Sequence, residues 1–246
     1  MKKIVFILIV STSLSFNCSK EEAPSEVENR IVENQEQEEQ NSEPNNTIKI
    51  LSLGDSYTIG ASVCGTCRFP EQLKDSLILN FENSKNFDLK VIARTGWTTT
   101  NLINAIKDEN LIDEYDLVTL LIGVNNQYQG KSFSIYESEF PQLVNMAIAK
   151  AKRLKNNIIV VSIPDYAFTP FGRGDTNISS EIDKYNSYAE NYCLGNNITF
   201  VNITDITRMG LDNTNLVASD GLHPSKLAYS KFVERILPFA IEKLKK

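Results

Sequence analysis

Residues 48–60 of the chain are IKILSLGDSYTIG, a short apolar run that ends in a cluster of small and polar residues. Near-continuous apolar residues are typical of a strand that is buried on both faces of a parallel sheet. Glycine, aspartate and serine follow at positions 54–56, and these residue types favour a tight turn. The stretch therefore predicts a central strand whose carboxyl end leads directly into a turn that carries Asp55 and Ser56.

Outward from this stretch, segments typical of strands alternate with segments typical of helices. The predicted strands cover residues 48–53, 87–93, 116–122, 157–163 and 198–201. Predicted helices cover residues 71–81, 99–107, 134–154, 181–194 and 226–244, and Pro238 is expected to break or kink the last one. Such alternation predicts an α/β fold with three layers, α/β/α, around a five-stranded parallel sheet.

Residues with catalytic potential lie after the predicted strands, where ligands of such sheets bind. Ser56 follows the first strand, Gly96 the second and Asn125 the third, and Asp220 and His223 precede the last helix. His223 is the only histidine of the 246-residue chain. Because a serine hydroxyl needs a base to become a strong nucleophile, any serine hydrolase here that uses an imidazole must use His223.

The spacing of the acid and the base supports a catalytic triad. Residues three apart on a turn or a helix start face the same side, so Asp220 can orient the His223 ring and stabilise its charged form. Asp220 could instead serve only as a cap for the last helix, and His223 could be an ordinary structural histidine. The sequence nevertheless predicts Ser56 as nucleophile, His223 as base and Asp220 as its partner.

Four blocks in this order resemble the SGNH, or GDSL, hydrolase family. The blocks are Gly54-Asp55-Ser56, Arg94-Thr95-Gly96-Trp97, Gly123-Val124-Asn125-Asn126 and Asp220-Gly221-Leu222-His223. The resemblance covers residues 48–246 and implies a flavodoxin-like SGNH hydrolase fold. It also implies an oxyanion hole formed by the backbone N–H groups of Ser56 and Gly96 and the side-chain amide of Asn125. Asn126 stands where the family usually has aspartate, which puts the local hydrogen bonding in question.

What the resemblance implies about function is a serine esterase for small acyl or acetyl esters, with O-acetylated carbohydrate as one candidate substrate. The alternative is a catalytically silent, surface carbohydrate-binding lipoprotein on the same fold. Trp97, Tyr166 and Phe168 are candidate substrate-binding residues, although each could equally pack in the core or in a loop. Neither a cofactor nor a metal is implied. The chain is expected to be a monomer.

The first 18 residues have the features of a bacterial lipoprotein signal peptide. Two lysines precede a short apolar run, and residues 14–18 resemble a lipobox that ends at Cys18, which we expect to be lipidated. The alternative is ordinary signal cleavage. Residues 19–47 contain nine acidic and two basic residues and almost no apolar ones, so this linker is expected to be disordered.

Charge and anchoring together predict where the chain acts. From residue 48 onward the chain has 22 acidic and 21 basic residues and no basic cluster, which argues against nucleic-acid binding. Acidic residues directly after Cys18 resemble signals for export to the outer face of the outer membrane. We therefore expect a domain that is lipid-anchored to the outer membrane of the bacterial cell envelope, with surface exposure as one possibility.

Three further cysteines leave several interpretations open. Cys64 and Cys67 are expected to form a loop-stabilising disulfide in an oxidising compartment, but their spacing also fits a redox motif or a pair of reduced thiols. A thiol oxidoreductase is accordingly a third functional hypothesis. Zinc has too few candidate ligands here. Cys193 is expected to be a buried free thiol.

Overall fold

In the computed structural model of the protein, residues 47–82 and 84–245 are described. Five strands and eight α-helices are assigned within these residues. In chain order they are β1 Thr47–Gly54, α1 Ser56–Ile59, α2 Phe69–Asn80, β2 Asn86–Ala93, α3 Thr99–Asp108, β3 Leu117–Leu121, α4 Val124–Tyr128, α5 Phe133–Lys150, β4 Ile158–Val161, α6 Thr176–Gly195, β5 Thr199–Val201, α7 Thr204–Thr207 and α8 Lys226–Leu244.

The five strands form one sheet in the order β2-β1-β3-β4-β5, and each neighbouring pair is parallel. The predicted α/β fold with a five-stranded parallel sheet is thereby confirmed. After β1 the chain crosses to β2 on one side of it and then returns to β3 on the other. The connections from β1 and β3 therefore diverge, which opens a crevice above the carboxyl ends of these two strands.

Two layers of helices cover the sheet. Helix α2 packs against α8, while α3 packs against α5 and α5 against α6. Every residue of β3 is buried, as are the last five residues of β1. Complete burial of a leucine such as Leu51 or Leu120 stabilises the fold by about 1.5–3 kcal/mol. The central strands are thus fixed on both faces, and the turns that follow them stand on a rigid base.

Boundaries differ from the predicted ones by a few residues, and of the break or kink expected at Pro238 the break does not occur. Pro238 does not end the last helix, because α8 runs unbroken from Lys226 to Leu244. Proline has no N–H, so Pro238 cannot donate to the carbonyl of Glu234 four residues earlier. Both residues are exposed, and that carbonyl can therefore face water.

Several predictions fall on residues that the structure does not describe. These are the signal peptide of residues 1–18, the lipidated Cys18 and the linker up to residue 46, whereas Thr47 already belongs to β1. Across residues 47–82 and 84–245, none of the helices combines the length and the apolar character that crossing a membrane requires.

Candidate active site

The turn after β1 places Ser56 at the carboxyl edge of the sheet. A Cβ atom on Gly54 would lie only 2.1 Å from Thr58 Oγ1 and 2.4 Å from the Leu121 carbonyl oxygen, so no larger residue fits there. The absence of a side chain therefore lets the end of β1 lie close to both β3 and Thr58 of the following turn. Ser56 becomes the first residue of α1, where a backbone N–H has no partner within the helix, and it is almost fully buried.

Asp55 is a buried carboxyl group directly beside Ser56. Its Oδ1 accepts the Tyr57 N–H at 3.0 Å, and its Oδ2 lies 3.5 Å from the Asn125 amide nitrogen. No lysine or arginine of the described chain forms an ion pair with it. Burial raises the pKa of the Asp55 carboxyl from 3.8 to about 7, although these hydrogen bonds act in the opposite direction.

Asp220 and His223 form a hydrogen-bonded pair in the turn before α8. The two backbone N–H groups of Leu222 and His223 donate to Asp220 Oδ1 at 3.0 Å, and His223 Nδ1 lies 2.6 Å from Asp220 Oδ2. Partial burial disfavours the charged carboxylate, but hydrogen bonds from Ser62, the ring and the turn outweigh it and lower the pKa of Asp220 well below its usual range. Asp220 is therefore ionised and can stabilise an imidazolium.

Ser56 and His223 line one cavity of about 170 Å³ at the carboxyl edge of the sheet. The other lining residues are Tyr57, Thr95, Gly96, Val124, Asn125, Tyr128, Tyr166 and Leu222. Within the described residues, the Ser56 hydroxyl makes no hydrogen bond to the His223 ring. Such bonds are often long before substrate binds. The structure thus brings the predicted nucleophile, base and acid to one site, with the ring of Tyr57 centred 5.3 Å from the imidazole.

The residues predicted for the oxyanion hole meet in the same cavity. Gly96 has a φ of +82°, a left-handed conformation that favours glycine, and the Gln129 amide binds its carbonyl oxygen at 2.8 Å. Asn125 follows β3 and donates its side-chain N–H to the Trp97 carbonyl oxygen at 3.1 Å. The backbone N–H groups of Ser56 and Gly96 can donate to a developing negative oxygen. The Asn125 amide joins them when its second N–H, which faces Asp55 Oδ2 at 3.5 Å, turns toward that oxygen.

Only one of the three predicted substrate-binding residues lines the cavity. Tyr166 does, and its hydroxyl donates to the Gln127 side chain at 2.8 Å. Trp97 instead lines a separate hollow beside β2 and α3, and Phe168 is half-buried outside the cavity. Tyr128 of α4, which the sequence analysis did not single out, lines the cavity with a ring that is 57% exposed.

Asn126 is completely buried and serves the loop rather than the cavity. Its Oδ1 accepts the Thr99 N–H at 2.9 Å, and its side-chain N–H donates to Thr99 Oγ1 at 2.6 Å. The Thr99 hydroxyl in turn donates its only proton to the Glu139 carboxylate. Because that proton is already used, the residue at position 126 must donate to Thr99. Asparagine can do so and an ionised aspartate cannot.

The loop after α1 contains a disulfide between Cys64 and Cys67. Cys193 is a buried free thiol, and burial raises the pKa of this thiol to about 12, so it is not a reactive thiolate. In the described part of the chain, no group of three or more His, Cys, Asp or Glu side chains is placed to hold a metal ion.

Comparisons with known proteins identify the family and the fold of the chain. Residues 52–231 match the GDSL-like Lipase/Acylhydrolase family. A lipolytic protein of the G-D-S-L family from Veillonella parvula has a similar structure, with a TM-score of 0.62 and 16% identity over 81% of this chain and 99% of that one.

Two further solved structures share the fold. A variant of an acetyl xylan esterase from Geobacillus stearothermophilus has a TM-score of 0.60 and 18% identity, over 78% of this chain and 94% of that one. A lipase/acylhydrolase from Enterococcus faecalis also has a TM-score of 0.60, with 20% identity over the same shares. A search of curated proteins finds no match.

Proposed function

Since the chain belongs to the GDSL-like lipase/acylhydrolase family and is an ester-hydrolysing serine hydrolase, we propose that it removes short acyl groups, acetyl above all, from carbohydrate esters. The proposal assigns the nucleophile to Ser56, the base to His223 and its charged partner to Asp220. The observation that carries it is the shared cavity in which Ser56 and a carboxylate-bound His223 meet.

In the proposed reaction the Ser56 oxygen attacks the ester carbonyl carbon while His223 takes the hydroxyl proton. The carbonyl oxygen becomes negative and binds the N–H groups of Ser56, Gly96 and Asn125. His223 then gives its proton to the departing alcohol, which leaves an acyl group on Ser56. A water molecule, deprotonated by the same ring, releases the acid and restores the hydroxyl.

The size of the cavity supports a short acyl group. Its volume of about 170 Å³ is small beside the roughly 300–1,000 Å³ of sites that enclose drug-sized ligands. A two- to four-carbon acyl chain fits such a volume, whereas a chain of ten carbons would extend into solvent. We therefore expect the rate of cleavage to fall as the acyl chain lengthens.

Exposed aromatic rings at the mouth of the cavity support a sugar on the alcohol side. The rings of Tyr128, Tyr166 and Phe171 have centroids 6.0 to 6.3 Å apart, and those of Tyr128 and Phe171 are about half exposed. Aromatic faces of this kind pack against the apolar face of a pyranose, while their edges remain in water. The acetyl xylan esterase of similar structure is in keeping with this assignment.

A panel of esters tests the acyl preference. Nitrophenyl acetate, butyrate and decanoate should be cleaved with decreasing kcat/KM, and Ser56→Ala should abolish all three activities. A preference for chains of ten carbons or more would contradict the proposed short-acyl site.

A second experiment tests the aromatic platform. Tyr128→Ala and Phe171→Ala should raise KM for an acetylated xylo-oligosaccharide several-fold and leave the KM for nitrophenyl acetate nearly unchanged. Phe239→Ala removes another exposed aromatic residue, on α8, and serves as the matched control. A KM for the sugar ester that stays at the wild-type value in Tyr128→Ala and Phe171→Ala, as expected for Phe239→Ala, would refute sugar stacking at this surface.

For the location of the protein, we propose a monomer tethered to the outer membrane through lipidated Cys18. The signal-like residues 1–18 and the acidic linker support this assignment. Incorporation of a labelled fatty acid should be lost in Cys18→Ser. Unlabelled wild-type protein in the soluble fraction would contradict the tether.

A further inference from the structure

Ser62 makes a contact that joins the two segments of the proposed triad. It lies in the loop after α1, six residues beyond Ser56, and its hydroxyl donates to Asp220 Oδ2 at 2.6 Å across 158 residues of sequence. The other donors to this carboxylate, the ring of His223 and two backbone N–H groups, belong to the turn of Asp220 itself. Within the described chain, Ser62 is thus the only donor to Asp220 from another segment.

The loop holds Ser62 in a conformation that side chains rarely adopt. Its φ is +65°, in the left-handed region, and the residue persists there because its neighbours are fixed. The N–H of Ala61 donates to the Ser56 carbonyl at 2.9 Å, and the disulfide of Cys64 with Cys67 closes the next turn. Non-glycine residues in this region often serve a functional site, and here the conformation accompanies a hydroxyl that contacts Asp220.

The carboxylate of Asp220 has one oxygen held firmly and one held by side chains alone. Backbone N–H groups hold Oδ1, so the group can pivot about that atom. Oδ2 is bound by the Ser62 hydroxyl and by His223 Nδ1. Of these two contacts, the one from Ser62 does not depend on the position of the imidazole ring.

We propose that Ser62 is a positioning residue for the hydrolytic reaction: it keeps Asp220 Oδ2 against His223 Nδ1 and couples that pair to the segment that carries Ser56. This inference rests on the proposed function. Ser62 is exposed, so water can replace part of its hydrogen bonding. We therefore expect its removal to lower kcat by about three- to ten-fold rather than to abolish activity.

The first test observes the imidazole itself. Because His223 is the only histidine, a chain with 15N-labelled histidine and a histidine-free purification tag gives a single set of ring signals. In Ser62→Ala the Nδ1–H proton signal should move upfield and exchange faster with solvent, since Oδ2 is held for less of the time. An unchanged signal would overturn the proposal, whether or not the variant is active.

The second test separates positioning from folding. Ser62→Ala and Ser62→Gly both remove the hydroxyl, but glycine also relieves the left-handed backbone. Both variants should show the lower kcat with an unchanged KM for nitrophenyl acetate. Asn197→Gly, at a remote exposed position with φ of +56°, is the matched control and should retain full activity.

The outcomes are distinguishable. Wild-type kcat in Ser62→Gly would show that the alanine variant suffers only from its backbone, and would overturn the proposal. A wild-type chain that cleaves no ester refutes the proposed function, whereas an active chain with unaltered Ser62 variants refutes this inference only.

Discussion

Replacing Asp55 by asparagine should remove a pH dependence of stability that the buried carboxyl imposes. The pKa of Asp55 is about 7 in the folded chain, against an ordinary value of 3.8. The folded state therefore holds a proton that the unfolded state has lost between these two pH values, and the free energy of unfolding falls as pH rises through this window. The full penalty above pH 7 is about 4 kcal/mol, of which about 3 kcal/mol develops between pH 5 and pH 8.

Carboxylates whose pKa is lowered do not obscure this window. Asp220, for example, contributes stability that is present above the pKa of its unfolded form, near 3.8, and is lost only as pH falls below that value. Its contribution is therefore nearly constant from pH 5 upward. The part of the slope between pH 5 and pH 8 that disappears in Asp55→Asn is therefore the contribution of Asp55.

Denaturant unfolding at pH 5 and at pH 8 measures the effect. The wild-type chain should lose about 3 kcal/mol between the two pH values, and Asp55→Asn, which keeps the shape and lacks the charge, should lose far less. Asp165→Asn is the matched control, because Asp165 is equally buried but is paired with Arg208 at 2.9 Å. That variant should be less stable at both pH values, since it leaves Arg208 without this partner. A wild-type chain that is equally stable at pH 5 and pH 8 would refute the reasoning.

Two other substitutions test the loops around the site. Asn126→Asp should lower the free energy of unfolding by about 1–3 kcal/mol, measured by urea titration, because the Thr99 proton is already donated to Glu139 and the new carboxylate gains no donor there. Glu139→Gln in the same chain should restore part of this loss. An aspartate variant of full stability would contradict this account. Replacing Cys64 and Cys67 together by serine should lower the free energy of unfolding by about 2 kcal/mol, because the disulfide closes a four-residue loop and so reduces the entropy of the unfolded chain. Reduction of the wild-type chain should lower its stability by the same amount. An unchanged urea midpoint would show that the disulfide does not constrain the unfolded chain.

The fold and the hydrogen-bonded pair of Asp220 and His223 were accessible to sequence reasoning because both depend on local patterns. The runs that became β1 and β3 are apolar throughout, as strands buried on both faces must be. Asp220 and His223 are three residues apart, so one turn is enough to bring them together. Burial and spacing therefore specified these features without any knowledge of distant contacts.

Contacts between distant segments were not accessible in this way. Nothing in the sequence relates Ser62 to Asp220, because their bond depends on a left-handed loop conformation that no pattern of residue types signals. Which aromatic residues line the cavity depends on the rotation of short helices, and the structure has Tyr128 there in place of Trp97 and Phe168. The aromatic residue just after the Asn125 block was the one available signal for Tyr128.

Covalent labelling of the nucleophile tests the central claim most directly. A fluorophosphonate reagent should attach to one residue of the wild-type chain between about pH 6 and 9, and peptide mass spectrometry should locate it on Ser56. Labelling should disappear in Ser56→Ala and be strongly slowed in His223→Ala. Labelling that persists in Ser56→Ala, or a wild-type chain that stays unlabelled across this pH range, would contradict the assignment of the nucleophile and its base.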